Sequence, residues 1–248
     1  MTEPPAAAKV DYWEMTRQLM QRINRQIFEK LGQEVQTGPF KGMTVTEHPV
    51  WDDGNAGLKL LGAYEHELWP AIEYAIERKP SAVMNVGCAE GYYAVGLKRR
   101  LPTTPVYATD IDANSLQMCS DMAASNGVPM MLQVGCRTAE EMLLGCSNAL
   151  YVLDVEGAEL DLLDPLYCAD LYTADIIVEC HDFLKPVSLS LAQRFSGTHD
   201  VDFIEPQMPD VPRYQKLLDP LPMGTKLIAL TEKRPMPTVW LSLMAQRR

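Results

Sequence analysis

The chain has 248 residues, of which 47% are hydrophobic and 22% charged, and a net charge of −11. That length can bury the core of one large α/β domain, while the negative charge weighs against a phosphate backbone as the main partner, since such binding draws on clustered Lys and Arg. No apolar run approaches the roughly 18 to 20 residues that cross a bilayer, so no membrane association is expected.

Six cysteines, Cys88, Cys119, Cys136, Cys146, Cys168 and Cys180, are scattered singly. Without a C-x-x-C pair they read as small apolar core residues and not as a disulfide framework or zinc ribbon. The opening MTEPPAAAKVDYWEM lacks the basic start, apolar stretch and cleavage site of a secretory signal. The expected compartment is the cytoplasm.

In chain order, apolar residues from Tyr12 to Leu31 recur every three or four positions, and Asp11 with Glu14 has the spacing of a capping box, which predicts a helix over 11–31. Residues 33–58 carry GPFKGM and WDDGNAG and are expected to form a loop with short strands. A second helical pattern over 64–78 contains Pro70, placed to kink or restart it. Residues 1–80 therefore read as an N-terminal helical cap or lid, and 81–248 as the main domain.

After Pro80 short apolar strands alternate with helices: strands at 82–87, 105–110, 130–134, 149–154 and 175–180, helices at 91–101, 113–126, 137–145 and 158–166. This rhythm predicts a doubly wound, mostly parallel Rossmann-like sheet. Segments 199–205 and 238–244 are expected to be two final antiparallel strands, separated by a Pro-rich stretch with one short helix near 224–233.

Residues 82–97 read AVMNVGCAEGYYAVGL, a strand, a glycine turn and a helix. An acid, Asp110, ends the second strand about 20 residues on, the expected position for gripping a ribose. The turn has Ala89 where a dinucleotide site has its second glycine and Glu90 beside it, and that negative charge opposes a pyrophosphate. S-adenosylmethionine has no phosphate and carries a sulfonium and an ammonium, so a loop bearing Glu90 is compatible with it.

The run N-V-G-C-A-E-G-Y-Y, then A-T-D-I-D, then L-D-V-E-G-A-E at 153–159 resembles the class I S-adenosylmethionine-dependent methyltransferases, most closely the FkbM-type branch. The resemblance spans roughly 58 to 244. It implies that Gly87, Cys88 and Gly91 form the turn around the methionine moiety, that Asp110 binds the ribose and that Ile111 lies against adenine. Tyr64 and Glu65, in the preceding L-G-A-Y-E-H-E-L block, would close over the cofactor, or Tyr64 would simply make an aromatic core contact at a helix start. The family usually has an acid where this chain has Asn85, which reads either as a cofactor contact or as a buried amide shaping the turn.

Acids crowd the next strand tips: Asp154, Glu156 and Glu159 after the fourth strand, and Glu179, His181 and Asp182 after the fifth. Paired carboxylates beside an imidazole suit either a hard divalent cation or a general base. In the catechol O-methyltransferase-like branch, acids at comparable tips hold magnesium. By that resemblance Asp154, Glu179 and Asp182 are candidate ligands, with Asp154 and His181 as candidate catalytic groups. Glu156 and Glu159 read as helix-dipole partners or a solvated face.

The expected activity is methyl transfer from S-adenosylmethionine to an oxygen, or less readily a nitrogen, of a small molecule such as a sugar or secondary metabolite. A different use of the cofactor, such as aminocarboxypropyl transfer, and a noncatalytic binding module on the same fold remain open. The exposed amphipathic helix at 11–31 makes a homodimer a further reading.

Overall fold

The computed structural model describes residues 12–46, 55–135, 147–183, 185–232 and 238–247. Its seven strands are β1 (Val83–Val86), β2 (Val106–Asp110), β3 (Met131–Val134), β4 (Leu150–Leu153), β5 (Asp175–Cys180), β6 (His199–Ile204) and β7 (Val239–Ala245). They form one sheet in the order β3-β2-β1-β4-β5-β7-β6. The first five run parallel, and β7 lies antiparallel between β5 and β6. The architecture is doubly wound and Rossmann-like.

The described helices are α1 (Tyr12–Leu31), α2 (Ala56–Leu61), α3 (Trp69–Glu77), α4 (Tyr92–Arg100), α5 (Ala113–Ser125), α6 (Glu159–Leu162), α7 (Val187–Phe195), α8 (Val211–Leu218) and α9 (Met223–Ala229). Among them none is long and apolar enough to cross a membrane. Alternate strand residues face opposite layers. Val83, Val106, Leu150, Val152 and Ile177 join α1 through α5, α8 and α9 in one apolar cluster. Met84, Tyr151, Leu153, Ile176 and Val178 meet α6, α7 and a short 3₁₀ turn at Ala169–Tyr172 in the other. The first cluster runs without a break across residue 80, from Ile23 of α1 to Met244 of β7.

Several expectations need amending. Among the described residues of 33–58, which exclude 47–54, there is one bridge, Glu34 to Thr44, and the start of α2, a short helix whose six residues are all buried. Pro70 sits in the first turn of α3, where its missing N–H costs nothing, so it restarts the helix after a 3₁₀ turn at His66–Leu68. The chain between β5 and β6 carries α7, and that between β6 and β7 carries two helices, α8 and α9, not one. Asp11 of the proposed capping box and the helix expected at 137–145 lie outside the described residues; Glu14 instead pairs with Arg17 at 2.7 Å. On α1, Met20, Ile23, Ile27 and Phe28 are core residues, while Met15 and Leu19 are exposed.

Three anchors fasten the N-terminal helices to the sheet. Just past α3, Arg78 reaches Asp175 of β5 at 2.7 Å and the Ala245 carbonyl of β7 at 2.6 Å. Arg100 of α4 makes a bidentate pair with Glu73 of α3 at 2.8 and 2.7 Å. Lys59 of α2 forms a buried ion pair with Glu90 of the glycine turn.

Candidate functional site

In the sheet order, β1 has β2 on one side and β4 on the other, so the chain reverses its winding direction at β1. Such a switch point opens a crevice at the carboxyl ends of the strands. Here the crevice is bordered by the turn after β1, by Asp110 at the end of β2, and by the segments after β4 and β5.

The turn after β1 is built on left-handed backbone. Gly87 has φ 71°, Ala89 φ 47° and Gly91 φ 94°. A Cβ on residue 87 would lie 1.7 Å from the Asp154 carbonyl oxygen, and one on residue 91 would lie 2.6 Å from Cys119 Sγ, so side chains are excluded at both. Asp110 ties the turn down: its Oδ2 accepts the Ala89 N–H at 2.9 Å and its Oδ1 accepts the Asp112 N–H at 2.9 Å. Each oxygen keeps a lone pair for a ligand hydroxyl. Ile111, next along, is 89% exposed, an apolar surface at the crevice edge.

Asn85 is buried in β1 and donates to the Val152 carbonyl at 3.1 Å, while its Oδ1 is buried without a partner. A buried acceptor left unmatched is costly, and a bound donor would relieve it. Cys88 is buried; Cys119 beside it and burial together hold its thiol protonated. Glu90 is not a free charge, because Lys59 neutralises it, and the same ammonium lies 4.7 Å from the centre of the Tyr64 ring. Tyr64 is half-buried and packs edge-on against Tyr92 at 5.7 Å.

The residue after it, Glu65, is the other residue of this block expected to close over the cofactor. It is 1% exposed, has left-handed φ 46°, and accepts a hydrogen bond from the Tyr93 hydroxyl of α4. Tyr93 in turn lies 6.1 Å from Trp240 of β7. The segment before α3 is thereby joined to the α4 wall of the crevice.

The acids after β4 and β5 divide into two groups. Asp182 does not face the crevice: its Oδ1 accepts the Ser188 N–H at 2.8 Å and its Oδ2 the Ser188 hydroxyl at 2.7 Å, so it caps α7. Glu179 accepts the Thr238 hydroxyl. Of the expected cation set of Asp154, Glu179 and Asp182, Asp182 is thereby engaged elsewhere, whereas Glu179 lies against Asp154. The groups that do converge are Asp154, Glu156 and His181, with one ligand atom from each within 4.8 Å of the others.

His181 is 5% exposed, and its Nε2 lies 3.3 Å from Glu156 and 3.8 Å from Asp154. Its Nδ1 lies 2.6 Å from Oε1 of Glu159, which also accepts the Gly157 N–H at 2.9 Å. Glu159 is fully buried, contrary to its reading as a solvated face, and its carboxylate turns inward onto the imidazole. Burial lowers the His181 pKa, but Glu159, Glu179 and Glu156 outweigh it and the net shift is upward. Asp154 is pushed well above the usual carboxylate range by burial, then by Glu179, Glu65 and Glu156. A cation brought to this crest would favour its ionised form.

Among solved structures, the chain is similar to a ribosomal protein L11 methylase from Lactobacillus delbrueckii subsp. bulgaricus, with 19% identity, 73% of this chain and 80% of that one covered, and a TM-score of 0.46. It is similar to an rRNA methylase from Streptococcus thermophilus at 10% identity, covering 73% and 97% with a TM-score of 0.48. The O-methyltransferase TomG from Streptomyces achromogenes, solved with S-adenosylmethionine, matches at 15% identity over 97% and 93%, with a TM-score of 0.45. No protein-family model matches the sequence, and no curated protein does.

Proposed function

We propose that the protein is an S-adenosylmethionine-dependent methyltransferase of the class I type, acting on an oxygen of a small molecule. The observation that carries this reading is the chemistry of the switch-point crevice, where a glycine turn is locked to Asp110 and the neighbouring strand tips carry Asp154, Glu156 and Glu179. That environment disfavours a pyrophosphate and suits a nucleoside bearing positive charge.

In this reading Gly87, Cys88 and Gly91 admit the methionine moiety close to the backbone, Asp110 accepts from the ribose hydroxyls and Ile111 covers one face of adenine. The unmatched Oδ1 of Asn85 accepts a hydrogen bond within the occupied crevice, Tyr64 flanks it, and Glu90 acts through Lys59 by holding the turn. When bound, S-adenosylmethionine supplies a methyl group already activated on a sulfonium. The chain's work is to position the acceptor, take up its proton and exclude water. Asp154 and His181 are the groups assigned to the acceptor, and the convergence of Asp154, Glu156 and His181 leaves room for a divalent cation to assist.

The similar structures are named for targets as different as a ribosomal protein, rRNA and tomaymycin synthesis. The acceptor is therefore argued from this chain's own charge. A net charge of −11 opposes a nucleic-acid backbone and favours a small molecule such as a sugar or secondary metabolite. The D-V-E-G-A-E motif supports the FkbM-type branch, and the cytoplasm is the proposed compartment.

The test is cofactor binding. Calorimetry with S-adenosylmethionine should show one site, and Asp110→Ala should weaken it by about tenfold or more, the effect of losing a charge-assisted contact worth roughly 1.5–3 kcal/mol. Absence of binding by the native chain, or unchanged affinity in the variant, overturns this placement. Release of S-adenosylhomocysteine and not methylthioadenosine identifies methyl transfer.

A further inference from the structure

Resting on the methyltransferase reading, we propose that the buried Glu159 carboxylate is a positioning residue that holds His181 as the Nδ1–H tautomer, presenting Nε2 to the acceptor hydroxyl as its proton acceptor. The resemblance that points to the crevice assigns Glu159 no role.

Glu159 opens α6 and is 0% exposed; both of its hydrogen-bond contacts fall on Oε1, while Oε2 is buried without a partner. Its Oε1 accepts the Gly157 N–H at 2.9 Å and lies 2.6 Å from His181 Nδ1. An ionised carboxylate only accepts hydrogen bonds, so the proton between them sits on Nδ1. That leaves Nε2 as the basic nitrogen. The Phe183 ring packs edge-on against the imidazole at 5.3 Å.

Nε2 points to the crest between β4 and β5, toward Asp154 and Glu156. The charged groups facing the imidazole are Asp154, Glu156 and Glu159 from the segment after β4 and Glu179 from β5. All are acids, and Glu159, Glu179 and Glu156 favour the imidazolium that forms when a proton is taken up, while Asp154 is itself pushed toward its neutral form. The step balances without a further reagent. The acceptor O–H bond breaks and its proton passes to Nε2; the acceptor oxygen bonds the methyl carbon; the electron pair of the broken carbon–sulfur bond stays on sulfur.

Side-chain ¹H–¹⁵N correlation spectroscopy tests this directly, because the chain has only four histidines and His181→Gln assigns the signal. Above its titration midpoint, His181 should show a protonated Nδ1 and an unprotonated Nε2. In Glu159→Gln the midpoint should fall by about 1 unit or more, the usual effect of an adjacent opposite charge. A wild-type spectrum showing the Nε2–H tautomer overturns the proposal, and so does an unmoved midpoint in the variant. Should the variant fail to fold, the wild-type tautomer still decides. Titration with MnCl₂ is the third arm: selective broadening of His181 at stoichiometric metal would make Nε2 a cation ligand and overturn its role as a base. Binding of S-adenosylhomocysteine, measured on the same sample, separates failure of this proposal from failure of the cofactor reading.

Discussion

The carbonyl oxygen of Asp154 occupies the space that a side chain on residue 87 would need. The tips of β1 and β4 are thus pressed together at the switch point, with Gly87 as the only residue type that fits. Gly87→Ala should destabilise the fold by about 1–3 kcal/mol from its left-handed backbone alone, and more from the 1.7 Å overlap with the Asp154 oxygen. Urea denaturation measures the loss. Because relief requires the two tips to separate, cofactor affinity should fall together with stability; an alanine variant of native stability and affinity would contradict the described turn.

The Lys59–Glu90 pair is buried on both sides, with side-chain exposures of 10% and 5%. Breaking such a pair from one end leaves a charge without its partner in a poorly solvated place. Lys59→Met should therefore cost about 3–5 kcal/mol, and Lys59→Met with Glu90→Gln should recover much of it. Equal stability of the single and double variants in denaturant titrations would mean that the pair does not couple α2 to the glycine turn.

His199 provides a pH signature of stability. It is 2% exposed, lies 2.8 Å from the Ala174 carbonyl through Nε2 and 2.8 Å from the Thr198 hydroxyl through Nδ1, a set that suits the neutral ring. Burial holds its pKa below the ordinary value. The unfolded chain then binds a proton that the native chain resists. Stability from this site is full above pH ~6.5, the unfolded value, and is lost as pH falls below it toward the folded one. His181, shifted upward, contributes with the opposite slope, so the comparison must be between variants. His199→Gln should lose less stability than the native chain between pH 7.5 and 5; parallel pH profiles would show that His199 is not held neutral.

Much of the fold can be read from residue order, for a physical reason. Parallel strands buried on both faces are near-continuous apolar runs such as Leu150–Leu153, or Val83–Val86 interrupted by Asn85 alone, and the turns between them are marked by Gly87, Asp110 and Pro80. What escaped depends on contacts across the chain. Helix α7 has Val187, Leu191 and Phe195 at helical spacing, but its cap is Asp182, outside the helix and easily taken for part of the acidic rim. Helix α2 is too short to show a period and is flanked by turn formers, and α8 is hidden among prolines, whereas α9 matches the short helix expected near 224–233.

The candidate site divides the same way. Asp110 and the glycines are legible because their spacing is local to one strand–turn–helix unit. Glu156 and Glu159 look alike in sequence, yet one is exposed and the other is sealed against His181, a difference set by a strand that follows later in the chain. Nothing in the spacing of three acids within six residues distinguishes the one that turns inward.

The placement of β7 has a consequence for how the molecule is made. During synthesis β6 leaves the ribosome before the strand that will separate it from β5, so both must wait with unsatisfied backbone edges until Val239–Ala245 arrives. The Thr238 hydroxyl that Glu179 accepts arrives at the same moment. Assembly of the acidic wall is therefore among the last events of folding, and a nascent chain halted before that insertion offers a half-built sheet for chaperones or neighbouring chains to capture.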